Sequence, residues 1–332
     1  MGCAKHPETE SAEHARIRHD RTGKAVYSQD LFDAKIRAFI RDNRDRPFFL
    51  YHPSQLPHGP ISIPELHPAV ADHPDLTQFE KEYASMVLRL DATVGLILDE
   101  LEAAGVADRT LLIFCSDNGH EFYCRQPGRT GDQWTAVDGT KLDNITGRFT
   151  SQRCGDVFDG NDGMAGLKIT NWEGGTRIPY LVAWPARTPP GTVCDRMFAN
   201  CDLFPTFAEL LGIDMPPGKD GVSLLPIWRG REPEQEHGPI VTASFLWGPS
   251  LVTADGWKLR RINNLDRFQL YYLPDDYQEA HDLAAQYPER VDALAARMLE
   301  ACDGSYDNGC ISTHFAQYDH EVVNDYLRTR NP

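Results

Sequence analysis

No stretch of this sequence offers the roughly 20 consecutive apolar residues that a membrane-spanning helix requires; charges interrupt even its longest helical pattern every few residues. The opening residues, MGCAKHPETESAEHARIRHD, lack the apolar core of a signal peptide. The sequence therefore predicts no membrane association and no export address of its own, and leaves the compartment of a longer protein open. Basic residues are scarce: 33 Lys and Arg stand against 49 Asp and Glu, for a net charge of −16. A field of that sign opposes general binding to nucleic acid or to anionic lipid, and an anionic substrate would need cations gathered locally. The eight cysteines, at 3, 115, 124, 154, 194, 201, 302 and 310, include no Cys-x-x-Cys pair, which argues against a zinc knuckle or a thioredoxin-type site. Their even number permits disulfides without implying them. Asn144-Ile145-Thr146 fits a glycosylation sequon, a pattern too common by chance to carry weight.

What is present is the make-up of a globular protein. The 332 residues are 41% hydrophobic and 25% charged, enough for a large core and, by length, about two domains. A helix is expected from Ser28, read as its cap, with Leu31, Ile36, Phe39 and Ile40 on one stripe; it leads through Pro47 into an apolar run, Phe48 to Tyr51, read as a buried strand. From Thr77 to Ala104, Phe79, Tyr83, Met86, Leu90, Val94, Ile97 and Leu101 recur at helical spacing, and Gly105 stands where a helix ends. Thr110 to Ser116 then reads as a second buried strand, and Pro179 to Trp184 as another. Strand, helix, strand in that order predicts an α/β fold with a mostly parallel sheet flanked by helices. Residues 120 to 166 lose periodicity and read as a long loop of the kind that serves a site. A short helix closes at Gly212, and after residue 231 short strands in GPIVTAS, SLVTADGWKLRRI and RFQLYYLP precede a helix from Pro288 to Cys302. The expected organisation is a poorly defined segment at 1–27, an α/β portion at 28–231 and a smaller α+β subdomain at 232–332.

The stretch LLIFCSDNGHEFY, residues 111 to 123, raises a question of chemistry. Asn-Gly is a common turn dipeptide. Yet a strand of an open α/β sheet delivers the residues that follow it to the crevice where such folds bind ligands. Asp117 and Asn118 would present a carboxylate and an amide carbonyl there, the oxygen donors that a hard cation prefers. The segment alone leaves both readings open.

Four stretches together resemble the sulfatase family of the alkaline-phosphatase superfamily: PFFLYHPSQLPHGP, LLIFCSDNGH, GLKITNWEGGTRIPYLVAWP and CDLFPTFAELLGIDMPPGKDGVSLLPIWRG. The likeness spans roughly residues 28 to 300, and each stretch is only moderately specific until order and spacing are added. The resemblance implies a sulfuric ester hydrolase acting on a sulfated small molecule or carbohydrate. Asp117 and Asn118 would be ligands of a divalent cation, Ca²⁺ in this family, with His58 and Lys168 as catalytic residues at the sulfate group. Glu173, Arg177 and the glycines between them read as a hydrogen-bonded turn holding Lys168. In sulfate ester cleavage negative charge grows on the bridging oxygen, so a metal ion, an ammonium and an imidazole aimed at the oxygens all lower the barrier.

The chain also departs from the family. Its nucleophile motif, Cys or Ser followed by x-Pro-x-Arg, does not occur: Cys124 is followed by RQPGR and Cys3 by AKHP. The early acidic pair for the metal and the Lys-x-His segment are missing as well, and all three belong upstream of residue 28 in the family. The expectation is a sulfatase-like chain truncated at its N-terminal end, with little activity of its own. Alternatives are a phosphoryl or phosphonate ester hydrolase of the same superfamily, or a non-catalytic remnant that binds anionic sugars or a partner. Nothing in the sequence sets the oligomeric state.

Overall fold

The computed structural model describes residues 27–310 apart from 60, 122–135, 144, 234, 236 and 246. The segment expected at 1–27, save Tyr27, lies outside these residues, as does the sequon Asn144. The chain divides into two compact units. One takes its described residues from Met1–Leu112 and Val182–Arg187, the other from Ile113–Phe122, Gln133–Leu181 and Thr188–Pro332.

The first unit is helical. Helix α1 (Ser28–Asn43) buries Gln29, Asp33, Ile36, Ile40 and Asn43. The cap is Tyr27 rather than Ser28, and the expected Leu31 is 52% exposed. The inward face starts instead with two polar residues because they have partners. Gln29 Nε2 donates to Asp33 Oδ1 at 2.9 Å and to Thr93 Oγ1 at 3.1 Å, and Arg89 Nη2 reaches Asp33 Oδ2 at 2.6 Å. After the single turn α2 (Pro68–Ala71), helix α3 (Gln78–Ala103) starts at a capping box in which Thr77 and Glu80 satisfy each other's backbone N–H groups. It ends before Gly105, whose φ of +69° suits a residue without Cβ. Arg41 clamps Glu100 through two hydrogen bonds of 2.6 and 2.8 Å.

The strand expected at 48–51 does not form among the described residues. The alternation that suggested it is real: Phe48 and Leu50 pack on Ile36, Ile40, Leu101 and Val106, while Phe49 and Tyr51 are 74% and 75% exposed. One apolar face meets helices and the other is largely exposed, so the segment follows the period of a strand without forming one among the described residues. Strand β1 (Leu112–Cys115) and β2 (Tyr180–Ala183) make a two-stranded sheet where strands were expected.

In the second unit, the one-turn α4 (Glu173–Thr176), α5 (Leu203–Leu211) and the one-turn α6 (Leu225–Trp228) precede four antiparallel strands in sequential order: β3 (Ile240–Thr242), β4 (Ser250–Val252), β5 (Trp257–Ile262) and β6 (Arg267–Tyr272). Helix α5 stops at Gly212 in the left-handed region, as expected. Helix α7 (Pro288–Ala301) sets Leu294, Ala295 and Met298 against Leu251, Leu259 and Leu270 of the sheet. Strand β5 is buried on both faces. Leu259 faces α7, whereas Lys258 and Arg260, one residue to either side and so on the opposite face, serve the loops that carry the candidate site.

Candidate active site

Asp117 and Asn118 follow directly on β1, Asp117 exposed and Asn118 half-buried. Ser116 Oγ donates to the Asn118 carbonyl at 2.9 Å, which tightens the bend. Gly119 is required by contact: a Cβ there would lie 1.9 Å from the Gly174 carbonyl oxygen and 3.2 Å from Gly175 Cα. Its N–H donates to Gly175 O at 3.1 Å. The Asp-Asn-Gly bend thus rests directly on the backbone of the Glu-Gly-Gly turn, 56 positions on (175 minus 119).

Lys168 is half-buried, and its N–H donates to His120 O at 2.9 Å. The same histidine's N–H donates to Asn161 Oδ1 at 2.9 Å, and Asn161 Nδ2 donates onward to Gly166 O at 3.0 Å. Gly174 N–H closes on Ala165 O at 2.8 Å. Gly174 and Gly175 lie so close to the 165–170 backbone that a Cβ on either would meet carbonyl oxygens at 2.4 to 2.6 Å. Backbone bonds therefore set the Asp117–Asn118 bend and the Lys168 segment side by side. His120 Nε2 lies 3.1 Å from Asp156 Oδ2. Burial works against the Asp156 carboxylate, but hydrogen bonds from His120 and the Phe158 N–H help to outweigh it and hold the carboxyl below its usual range.

The Glu173 side chain does not brace Lys168 directly, as the sequence suggested. It turns to the sheet, where Lys258 Nζ donates to Glu173 Oε1 at 2.8 Å and lies 2.9 Å from Glu279 Oε1. Glu279 Oε2 in turn accepts from the Glu173 N–H at 2.7 Å. Burial pushes the Glu279 carboxyl up, Lys258 opposes that, and Glu173 reinforces it. Next to this triad the Arg260 guanidinium lies 3.5 Å from the Trp172 ring centroid and donates to Asn171 Oδ1 at 2.8 Å, to Ile145 O at 3.0 Å and to Gln269 Oε1. Burial pushes the Arg260 pKa down to about 10, still far above neutrality. Asn171, Trp172 and Glu173 are thus all held by β5 and its surroundings. Lys258 and Arg260 stand two apart, on either side of Leu259, in a strand buried on both faces.

A hard cation takes six to eight oxygens. The Asp117 carboxylate and Asn118 amide are donors of the right chemistry, but they are only part of a shell. Among the described residues no group of three or more His, Cys, Asp or Glu side chains is placed to hold a metal. His58 belongs to the other unit, in a turn where its N–H donates to Gln55 O at 2.8 Å and its Nδ1 lies 2.7 Å from Gly59 O; it is exposed.

Comparison with known proteins follows the same residues. A family model described as Sulfatase matches residues 4–213, and one described as N-sulphoglucosamine sulphohydrolase, C-terminal, matches residues 168–303. Steryl-sulfatase of Mus musculus is 32% identical over 203 residues, covering 60% of this chain and 27% of that protein. The N-acetylgalactosamine-6-O-sulfatase of Bacteroides thetaiotaomicron is 28% identical over 286 residues, covering 82% of this chain and 50% of that protein. The chain thus spans half or less of the length of these relatives. A solved structure from work on glycosaminoglycan metabolism by Bacteroides thetaiotaomicron superposes with a TM-score of 0.62 at 27% identity, over 82% of this chain and 53% of that one. Another, solved with a bound neocarrahexaose, shares the fold with a TM-score of 0.64 at 22% identity, over 93% and 62%. With a family match over well more than half its length and the matching fold, this α/β chain belongs to the sulfatase family of the alkaline-phosphatase superfamily.

Proposed function

We propose that this chain supplies part of the active site of a sulfuric ester hydrolase acting on sulfated carbohydrate, with residues 28–231 as the catalytic portion and 232–332 as a C-terminal subdomain. The observation that supports the reading is the backbone-to-backbone seam joining the Asp117–Asn118 bend to the Lys168 segment, which puts a carboxylate, an amide carbonyl and a lysine on adjoining loops. Carbohydrate is preferred to steroid because the match takes in half of the N-acetylgalactosamine-6-O-sulfatase, against 37% or less of the mouse and rat steryl-sulfatases, and because a structure from work on glycosaminoglycan metabolism superposes over 82% of this chain.

In this reading Asp117 and Asn118 hold a divalent cation, Ca²⁺ by family resemblance, together with ligands beyond the described residues. A bound cation supplies Lewis acidity toward the sulfate. Lys168 binds a sulfate oxygen and offsets the charge that grows as the ester bond breaks. The Gly174–Gly175 backbone holds the Asp-Asn-Gly bend in place, so the donors need little reorganisation when substrate arrives. His58 is assigned a sulfate contact by family resemblance.

One observation favours a second reading, a non-catalytic binder of anionic sugars: no Cys or Ser in the 332 residues is followed by x-Pro-x-Arg. Clear aryl sulfate turnover by the 332-residue protein would exclude the second reading; both readings expect little, since without a covalent nucleophile turnover falls by orders of magnitude, and Ca²⁺ binding at Asp117 is what the first reading alone requires. The metal assignment is tested by calorimetric titration with Ca²⁺. Two ligands predict weak binding, at about 10⁻⁴ to 10⁻³ M, lost in Asp117→Ala. Equal affinity in the variant would leave Asp-Asn-Gly as an ordinary turn and end the assignment.

A further inference from the structure

The second unit contains an open groove of about 490 Å³ that the catalytic reading does not use. Its volume is in the range of small-ligand sites. It is lined by His237, Thr253, Asp255, Leu294 and two arginines of α7, Arg290 and Arg297. We propose that this groove is an accessory binding site for a sulfated oligosaccharide. The ligand class rests on the function proposed above; the site rests on the groove itself.

The groove is built rather than incidental. Leu294 and Thr253, 5% and 8% exposed, are fixed in the sheet-to-helix packing, and the Thr253 hydroxyl accepts from Trp257 N–H at 3.0 Å across the turn it closes. His237 is locked from both ring nitrogens: Nε2 lies 2.9 Å from the fully buried carboxylate of Asp202, and Nδ1 2.8 Å from Gly238 O. Asp202 is itself immobilised, accepting from Ala199 N–H at 2.7 Å and Val222 N–H at 2.8 Å. These partners fix the ring at the groove wall.

The two arginines supply the charge. Arg290 lies with its guanidinium carbon 4.4 Å from the Trp257 ring centroid, which orients the plane while leaving its edge N–H groups to a ligand. Its ion pair with Asp255, at 3.7 Å, is too long to be a hydrogen bond. Arg297 is exposed and makes no ion pair among those identified in the described residues. Seven residues apart on one helix, the two arginines start from Cα atoms about 10 Å apart along the axis and line the same groove. An extended ligand with anionic groups at intervals can engage both along the groove. On a chain with a net charge of −16, two guanidinia against one carboxylate make this groove a local exception to the overall field.

The test is calorimetric titration of the 332-residue protein with a chondroitin 6-sulfate hexasaccharide at low salt. Arg290→Ser with Arg297→Ser should weaken binding at least about tenfold through loss of charge-assisted hydrogen bonds, and Arg297→Ser alone, at an exposed position with no ion pair identified among the described residues, should weaken it in the same direction. The binding that remains in Lys168→Ala should still depend on Arg290 and Arg297, which separates this groove from the proposed catalytic site. Four results overturn the proposal: no binding by the unchanged protein, undiminished binding by the arginine variants, loss of binding in Lys168→Ala alone, or equal binding of a DNA oligonucleotide through the same arginines. The last would mark a general polyanion surface.

Discussion

Replacing Lys258 by Met takes away the cation that stands between Glu173 and Glu279. The lysine and Glu279 side chains are wholly buried and Glu173 is 8% exposed, so water cannot take over the missing partner. Removing one member of such a set leaves uncompensated buried charge and costs about 3–5 kcal/mol, a large part of the roughly 5–15 kcal/mol that holds a folded protein together. The penalty has a defined pH dependence. The folded-state pKa of Glu279 is raised above the unfolded value, mainly by burial. As pH rises from the usual carboxylate range through that raised value, the unfolded chain releases its proton first and stability falls. Lys258 opposes the rise, so without it the window extends upward and the deficit grows toward neutrality. Guanidinium unfolding followed by tryptophan fluorescence, with Trp172 beside the triad, should show a deficit at pH 8 that shrinks toward about pH 5. Converting Glu173 and Glu279 to Gln in the same protein should recover much of it. A loss below about 1 kcal/mol, or one that does not vary with pH, would refute the idea that a buried charge set ties the Glu-Gly-Gly turn to the sheet.

Gly119→Ala forces a methyl to within 1.9 Å of the Gly174 carbonyl, backbone against backbone, and should destabilise the protein by about 1–3 kcal/mol while weakening Ca²⁺ binding in the same titration. Gly95→Ala, mid-helix with nothing within 4 Å of the added carbon, should instead stabilise the protein by about 0.5–1 kcal/mol, read as a higher denaturation midpoint. Thr77→Ala removes half of the capping box that starts α3 and should cost about 0.5–2 kcal/mol, measurable as a lower thermal midpoint with unchanged binding at Asp117.

The parts of this fold that could be read from sequence are those whose causes are local. Thr77 with Glu80, Gly105 and Gly212 end their helices within a turn of themselves, and the strand pattern of residues 240–272 is set by alternation and by its tight turns. The segment 48–51 misled because alternation reports that a chain has two unlike sides; it does not report whether a hydrogen-bonding neighbour exists. Leu31 misled for the opposite reason. Apolar spacing overlooked Gln29 and Asp33, which are buried because Thr93 and Arg89, some 60 positions away, satisfy them. The destination of Glu173 was hidden in the same way: its cation lies 85 residues further on. Asp117, Asn118, Lys168 and His58 could be selected only by family resemblance, since a short turn, a loop lysine and a loop histidine carry no signature in spacing alone.

The seam under the Asp117–Asn118 bend has a dynamic consequence. The 161–175 segment has almost no regular secondary structure, and loops of that kind ordinarily exchange their amide hydrogens within local openings that cost little. Here the N–H groups of Gly119, Lys168 and Gly174 close onto other loop backbone, while Asn171, Trp172 and Glu173 are held by β5. To expose those amides, the segment must part from Lys258 and Arg260, which means opening the antiparallel sheet as well. The candidate site therefore belongs to the same cooperative unit as β5 and β6, and its amides should share the slow exchange of those strands rather than the fast exchange of a surface loop.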